Sequence, residues 1–140
     1  MDKRLSELID RLNKHISDDD FMDVADEVTE ELEKRLDAFD AIESILMLME
    51  NNPDVDYGMP GALVHFMETF YKKGYEEKLV ESLTRKPTEY TVWMLNRLIN
   101  DCQGERKKYY LNVLDKVIAF PNLENKVVLR AQNYKSFQSK

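Results

Sequence analysis

The chain has one cysteine, Cys102, among 140 residues. An internal disulfide is therefore excluded, and a reducing compartment fits the usage. Glycine and proline are sparse, four of each, which favours helices over a turn-rich β architecture. The two histidines, His15 and His65, sit in no His-Glu-x-x-His motif and in no Glu-x-x-His pair of a di-iron bundle. Cys-x-x-Cys, P-loop and Gly-x-Gly-x-x-Gly patterns are missing as well. The longest apolar run, Ile45 to Met49, is far too short to span a bilayer. Met1-Asp2-Lys3-Arg4 leads into a charged amphipathic segment, not the apolar core of a signal peptide. The expectation is a soluble cytoplasmic protein without metal or cofactor, with no membrane or nucleic-acid partner.

What is present is a hydrophobic content of 43%, enough for one folded domain over residues 1–140. Its period is helical. Leu5, Leu8, Ile9, Leu12 and Ile16 make one stripe from about Asp2 to His15. Asp18-Asp19-Asp20 breaks it and supplies an N-cap for a second helix to about Arg35. There Phe21, Val24, Ala25, Val28, Leu32 and Leu36 share a face. A third helix, Asp37 to Glu50, is apolar over most of its circumference and reads as central; with no Gly or Pro between them, the second and third helices are open to being one bent helix.

Asn51-Asn52-Pro53-Asp54 closes this acidic region at about residue 52, and helical pairs follow over 58–140. Pro60 suits the first turn of a helix carrying Leu63, Phe66, Met67 and Phe70, with Gly74 as its stop. Further helices are expected around Tyr75–Leu83, from Thr88 to Cys102, after Gly104, and from Leu123 to Tyr134 carrying Val127, Leu129, Ala131 and Tyr134, with a frayed tail beyond. Strand patterns are nearly absent. The fold class is all-α, with seven or eight antiparallel helices. Prolines 60, 87 and 121, spaced by 27 and 34 residues, punctuate helical pairs. HEAT-like stacking and a compact bundle both remain open.

Signals of chemistry are thin. Asp18-Asp19-Asp20-x-x-Asp23 lacks the alternation and the glycine of a calcium loop, and helix capping explains it better. His65-x-x-Glu68 pairs an imidazole with a carboxylate one turn apart, but His65 lies off the apolar face and no further groups converge on it. The expectation is no enzyme. Trp93 lies nearly opposite the Thr91/Met94/Leu95/Leu98 face, with Tyr90 and Arg97 at helical spacing. Those residue types are enriched in binding hot spots, and they also serve helices packed on two sides. Arg106-Lys107-Lys108 beside Tyr109-Tyr110 is too little basic charge for a nucleic-acid footprint in a chain of net charge −7.

The charge is unevenly placed. Residues 1–56 hold 18 Asp/Glu against 6 Lys/Arg; residues 57–140 hold 9 against 14. On the second helix Asp23, Asp26, Glu27, Glu30 and Asp37 fall opposite the apolar stripe, flanked by Glu31 and Glu33 and interrupted by Lys34. Two readings stand: the basic second half offsets this acidity within the fold, or a basic partner binds it.

The stretch Asp56-Tyr57-Gly58-Met59-Pro60-Gly61-Ala62-Leu63-Val64-His65-Phe66 carries a resemblance, and so does its continuation. That continuation comprises Tyr75, Leu79, Ser82, Arg85-Lys86-Pro87-Thr88, Thr91 and Met94-Leu95-Asn96-Arg97-Leu98-Ile99-Asn100. Together they resemble small helical immunity proteins of bacterial polymorphic-toxin and contact-dependent inhibition systems, over about residues 56–100. The resemblance implies a cytoplasmic antidote that binds and blocks one toxin domain. Nucleic-acid-cutting toxins tend to be basic because they bind phosphates, and an acidic antidote complements that charge. Asp19, Asp20, Asp23, Glu27, Glu30 and Glu31 are the expected toxin-binding residues, with Tyr90 and Trp93 second. A HEAT-like adaptor without a toxin partner is the alternative, and an enzyme using His65 and Glu68 a more remote one.

Overall fold

The computed structural model describes all 140 residues. It is all-helical, without a strand: α1 Lys3–Lys14, α2 Phe21–Glu33, a 3-10 turn Ala38–Ala41, α3 Ile42–Asn51, α4 Ala62–Glu68, α5 Tyr75–Arg85, α6 Glu89–Asn100, α7 Gly104–Ile118 and α8 Asn125–Gln138. The chain divides into two compact units, Met1–Lys78 and Leu79–Lys140, with the boundary inside α5. The charge follows that boundary. The first unit holds 21 Asp/Glu against 9 Lys/Arg, the second 6 against 11.

In the first unit α1 starts at Asp2, whose Oδ2 accepts from the Arg4 and Leu5 amides at 3.0 and 3.2 Å, satisfying two of the helix's orphan donors. Leu5, Leu8, Ile9 and Leu12 of α1 face Val24, Val28 and Leu32 of α2 in the core, joined by Ile42, Ile45, Leu46, Leu48 and Met49 of α3. α1 packs on α2 and α3, and α2 packs on α4. The break at residues 52–58 thus lies inside this unit. Tyr57 fixes it there: its ring meets Phe21 edge-on at 6.0 Å and its hydroxyl donates to the Asn52 carbonyl at 2.7 Å.

Several local expectations change. α2 and α3 are separate helices. α2 stops at Glu33, and the chain turns through Arg35–Asp37 before the 3-10 turn. Leu36 therefore leaves the face it would share with Leu32 on a continued helix and stands in solvent. Asp20 occupies the N-cap position of α2, but its side chain makes no capping bond, so the acids there act on the helix only through its dipole. Pro60 lies two residues ahead of α4, after a cis peptide bond, and Gly61 is the N-cap. A Cβ on Gly61 would meet the Tyr57 carbonyl oxygen at 1.8 Å. α4 ends at Glu68, not near Gly74. The connecting turn is held by buried Glu76, whose carboxylate accepts from the Lys72 amide at 2.9 and 3.0 Å. Gly74, at φ +113°, faces the Phe39 ring, 2.8 Å from where a Cβ would sit, which in turn stacks edge-on against Phe70 at 5.5 Å.

In the second unit a reciprocal capping box of Thr88 and Thr91 opens α6. α6 buries Val92, Met94, Leu95, Leu98 and Ile99; α7 buries Tyr110, Val113, Leu114 and Val117. α8 packs on both. It turns Val127 and Ala131 inward, while Leu129 is 57% exposed. The C-terminal tail does not fray at Lys135. α8 continues to Gln138, whose amide donates to the Asn96 and Asn100 side-chain oxygens of α6 at 2.9 and 2.6 Å.

Candidate interaction surface

The acidic residues of α2 separate into two groups by what they touch. Glu27 and Glu31 lean toward α1. Arg11 bonds Glu27. Arg4 grips Glu31 with Nε to Oε2 at 2.6 Å and Nη2 to Oε1 at 2.7 Å, and reaches Glu7 at 3.2 Å. The Arg4 bonds hold the Glu31 carboxyl below the ordinary range and hold the guanidinium above its own. Arg35 likewise bonds Asp37 at 2.7 and 3.0 Å and Asp2 at 2.7 Å, and those bonds depress Asp37.

The second group remains open to solvent. Asp19, Asp20, Asp23, Asp26, Glu30 and Glu33 are all exposed and enter no ion pair. On α2 the spacing Asp23, Asp26, Glu30, Glu33 keeps four of them on one stripe. Of the six residues expected to bind a partner, four thus lie on one open acidic surface, and Glu27 and Glu31 are committed to α1. For Glu27, Glu31 and Asp37 the pairing cations are arginines of the acidic half itself, Arg11, Arg4 and Arg35, while Lys78 of the second half reaches Glu43 of α3 at 4.0 Å. The i to i+16 and i to i+27 separations of these pairs have no signature in the sequence.

His15, Asp18 and Asp20 each bring one potential metal-ligand atom within 4.8 Å of the others. His15 Nδ1 is already bonded to Asp18 Oδ2 at 2.7 Å, and both carboxylates are solvated. That arrangement is an exposed turn held by a local hydrogen bond.

Tyr90 and Trp93 do come together. Their ring centroids lie 5.1 Å apart, and the Arg97 guanidinium lies 5.3 Å from the Trp93 centroid, within cation–π range. All three are half-buried. α6 is packed on two sides, by α7 and by α8. Beside the stack, Glu89 takes Arg130 at 3.1 Å and Lys126 at 3.9 Å. Tyr90 and Trp93 belong to the second unit, and the acidic stripe belongs to the first.

His65 is exposed on α4, one turn before half-buried Glu68. Tyr109, beside the basic run, is exposed and meets buried Tyr110 edge-on at 5.0 Å. No helix is long and apolar enough to cross a membrane. No protein-family model, curated protein or solved structure matches the chain.

Proposed function

We propose that the chain is a non-catalytic immunity-type protein that binds a basic toxin domain through the open acidic surface of α2 and blocks it stoichiometrically. The observation that carries this reading is the set of unpaired carboxylates. After Arg4, Arg11 and Arg35 have taken Glu31, Glu27 and Asp37, six acids from Asp19 to Glu33 still face solvent without a cation. Their mutual repulsion costs stability, and a basic surface relieves it. Long-range attraction would also speed encounter with a cationic nuclease domain.

The helix-on-helix contacts of the first unit favour one further reading, an adaptor that offers the same surface to a basic protein that is not a toxin. Co-expression separates the two. Cells making the C-terminal domain encoded by the gene immediately upstream should survive when this chain is co-expressed and die when it is not. No rescue, with both proteins present at comparable levels, would reject the immunity role.

A further inference from the structure

The turn after α2 holds an apolar side chain in water. Leu36 is exposed to 109% of its reference area, the most exposed large hydrophobic residue in the chain. Leu32 before it and Ala38 after it are both buried, at 0% and 5%. The backbone therefore enters the core on each side and leaves Leu36 projecting between. Arg35 and Asp37 are joined across it by two hydrogen bonds, and a third bond from Arg35 Nη2 to Asp2 Oδ2 pins the turn to the N-cap of α1. The side chain gains no burial from the fold, yet its turn is braced on both flanks. Within six residues of it in the chain the exposed carboxylates Glu30, Glu33 and Asp40 carry no ion pair, and Lys34 is the exposed cation of the same turn. An apolar centre with a polar, charged rim is the composition of a protein-binding patch.

We propose that Leu36 is the apolar anchor of the acidic surface, seated on binding in an apolar pocket rimmed by Lys or Arg on a basic partner protein. The proposal rests on the basic-partner reading above and adds the position and chemistry of the contact. The braced turn presents the side chain already in place, so little ordering accompanies binding. Charge complementarity names the partner's rim. A second copy of this chain would bring two acidic units together and is disfavoured by that repulsion.

The test uses the full chain and, as probe, the purified C-terminal domain encoded immediately upstream, with affinity read by titration calorimetry. Leu36→Ala should weaken binding about tenfold or more with unchanged salt dependence and an unchanged thermal midpoint, whereas Leu36→Met should retain most of the affinity. A paired Glu30→Lys/Glu33→Lys variant should weaken binding and flatten its salt dependence. If Leu36→Ala binds as wild type while the charge variant is weakened, the Leu36 anchor is wrong and the basic-partner reading survives. If the charge variant also binds as wild type, or the domain does not bind at all, that reading fails and takes the anchor with it. Sedimentation showing a wild-type dimer that Leu36→Ala converts to monomer would overturn the proposal in favour of self-association.

Discussion

Arg4 and Glu31 face each other across α1 and α2 in a two-bond contact, Nε to Oε2 at 2.6 Å and Nη2 to Oε1 at 2.7 Å. The pair removes from the partner-binding set a residue whose position on the helical wheel had placed it there. It also turns α1 into a brace for α2, because Arg11 and Glu27 repeat the contact further along. Part of the acidity in this unit thus serves the fold, and the proposed function assigns the unpaired remainder to a partner.

The part that serves the fold has a pH signature. Glu31 and Asp37 both titrate below their ordinary range, chiefly through hydrogen bonds from Arg4 and Arg35. A depressed acid contributes stability that is present above its unfolded pKa, about 4, and is lost as the pH falls through the folded value. Unfolding midpoints should therefore fall on acidification below about pH 4. The Glu31→Gln/Asp37→Asn double variant should be less stable than wild type at neutral pH and should lose less on acidification. A parallel pH profile in the two proteins would contradict the assignment.

Leu32 and Leu36 share a helical stripe in the sequence and have opposite fates in the fold. Leu32→Ala should cost about 2–5 kcal/mol, because its site is fully closed. Leu36→Ala should stay within about 0.5 kcal/mol of wild type, as for other surface changes. Urea denaturation of the two variants side by side measures the difference.

Gly61 is a packing requirement at the entry to α4. Alanine there would place its Cβ 1.8 Å from the Tyr57 carbonyl oxygen, so the loop or the helix must move. Gly61→Ala should lose about 2–3 kcal/mol by overpacking and should loosen Tyr57, visible as weaker near-ultraviolet dichroism.

Gln138 ties the end of α8 to α6. Gln138→Ala removes two hydrogen bonds to Asn96 and Asn100 and should cost about 1–3 kcal/mol. Amide exchange should show protection extending past Lys135 in the wild type and ending earlier in the variant.

The sequence carried the all-α class and the helix interiors because both depend on a local period. The Leu5–Leu12 and Phe21–Leu32 stripes bury as their spacing requires, and so do Ile42, Ile45, Leu46, Leu48 and Met49 of the third, while Met47 of that helix is exposed. What it did not carry depends on residues distant along the chain. The end of α2 is set by an Arg35 clamp that includes Asp2, 33 residues away, so the apolar period ran on to Leu36. The end of α8 is set by asparagines 38 and 42 residues upstream, so a polar tail looked frayed. Leu129 sits two residues, about 200° of helix turn, from both Val127 and Ala131, so their burial leaves it in solvent. The acidic face was legible as a surface. Its division into paired and unpaired carboxylates was not, since Arg4 and Arg11 have no sequence relation to Glu31 and Glu27.

The central claim is that the unpaired carboxylates, and not the paired ones, receive a basic partner. Two charge-reversal variants of equal size decide it: Asp23→Lys/Glu30→Lys against Glu27→Lys/Glu31→Lys, each titrated with the upstream-encoded C-terminal domain at low and high salt. The first should bind at least about tenfold more weakly with a flattened salt dependence, at near wild-type stability. The second should lose mainly stability. Wild-type affinity for the Asp23→Lys/Glu30→Lys protein, with wild-type salt dependence, would contradict the account.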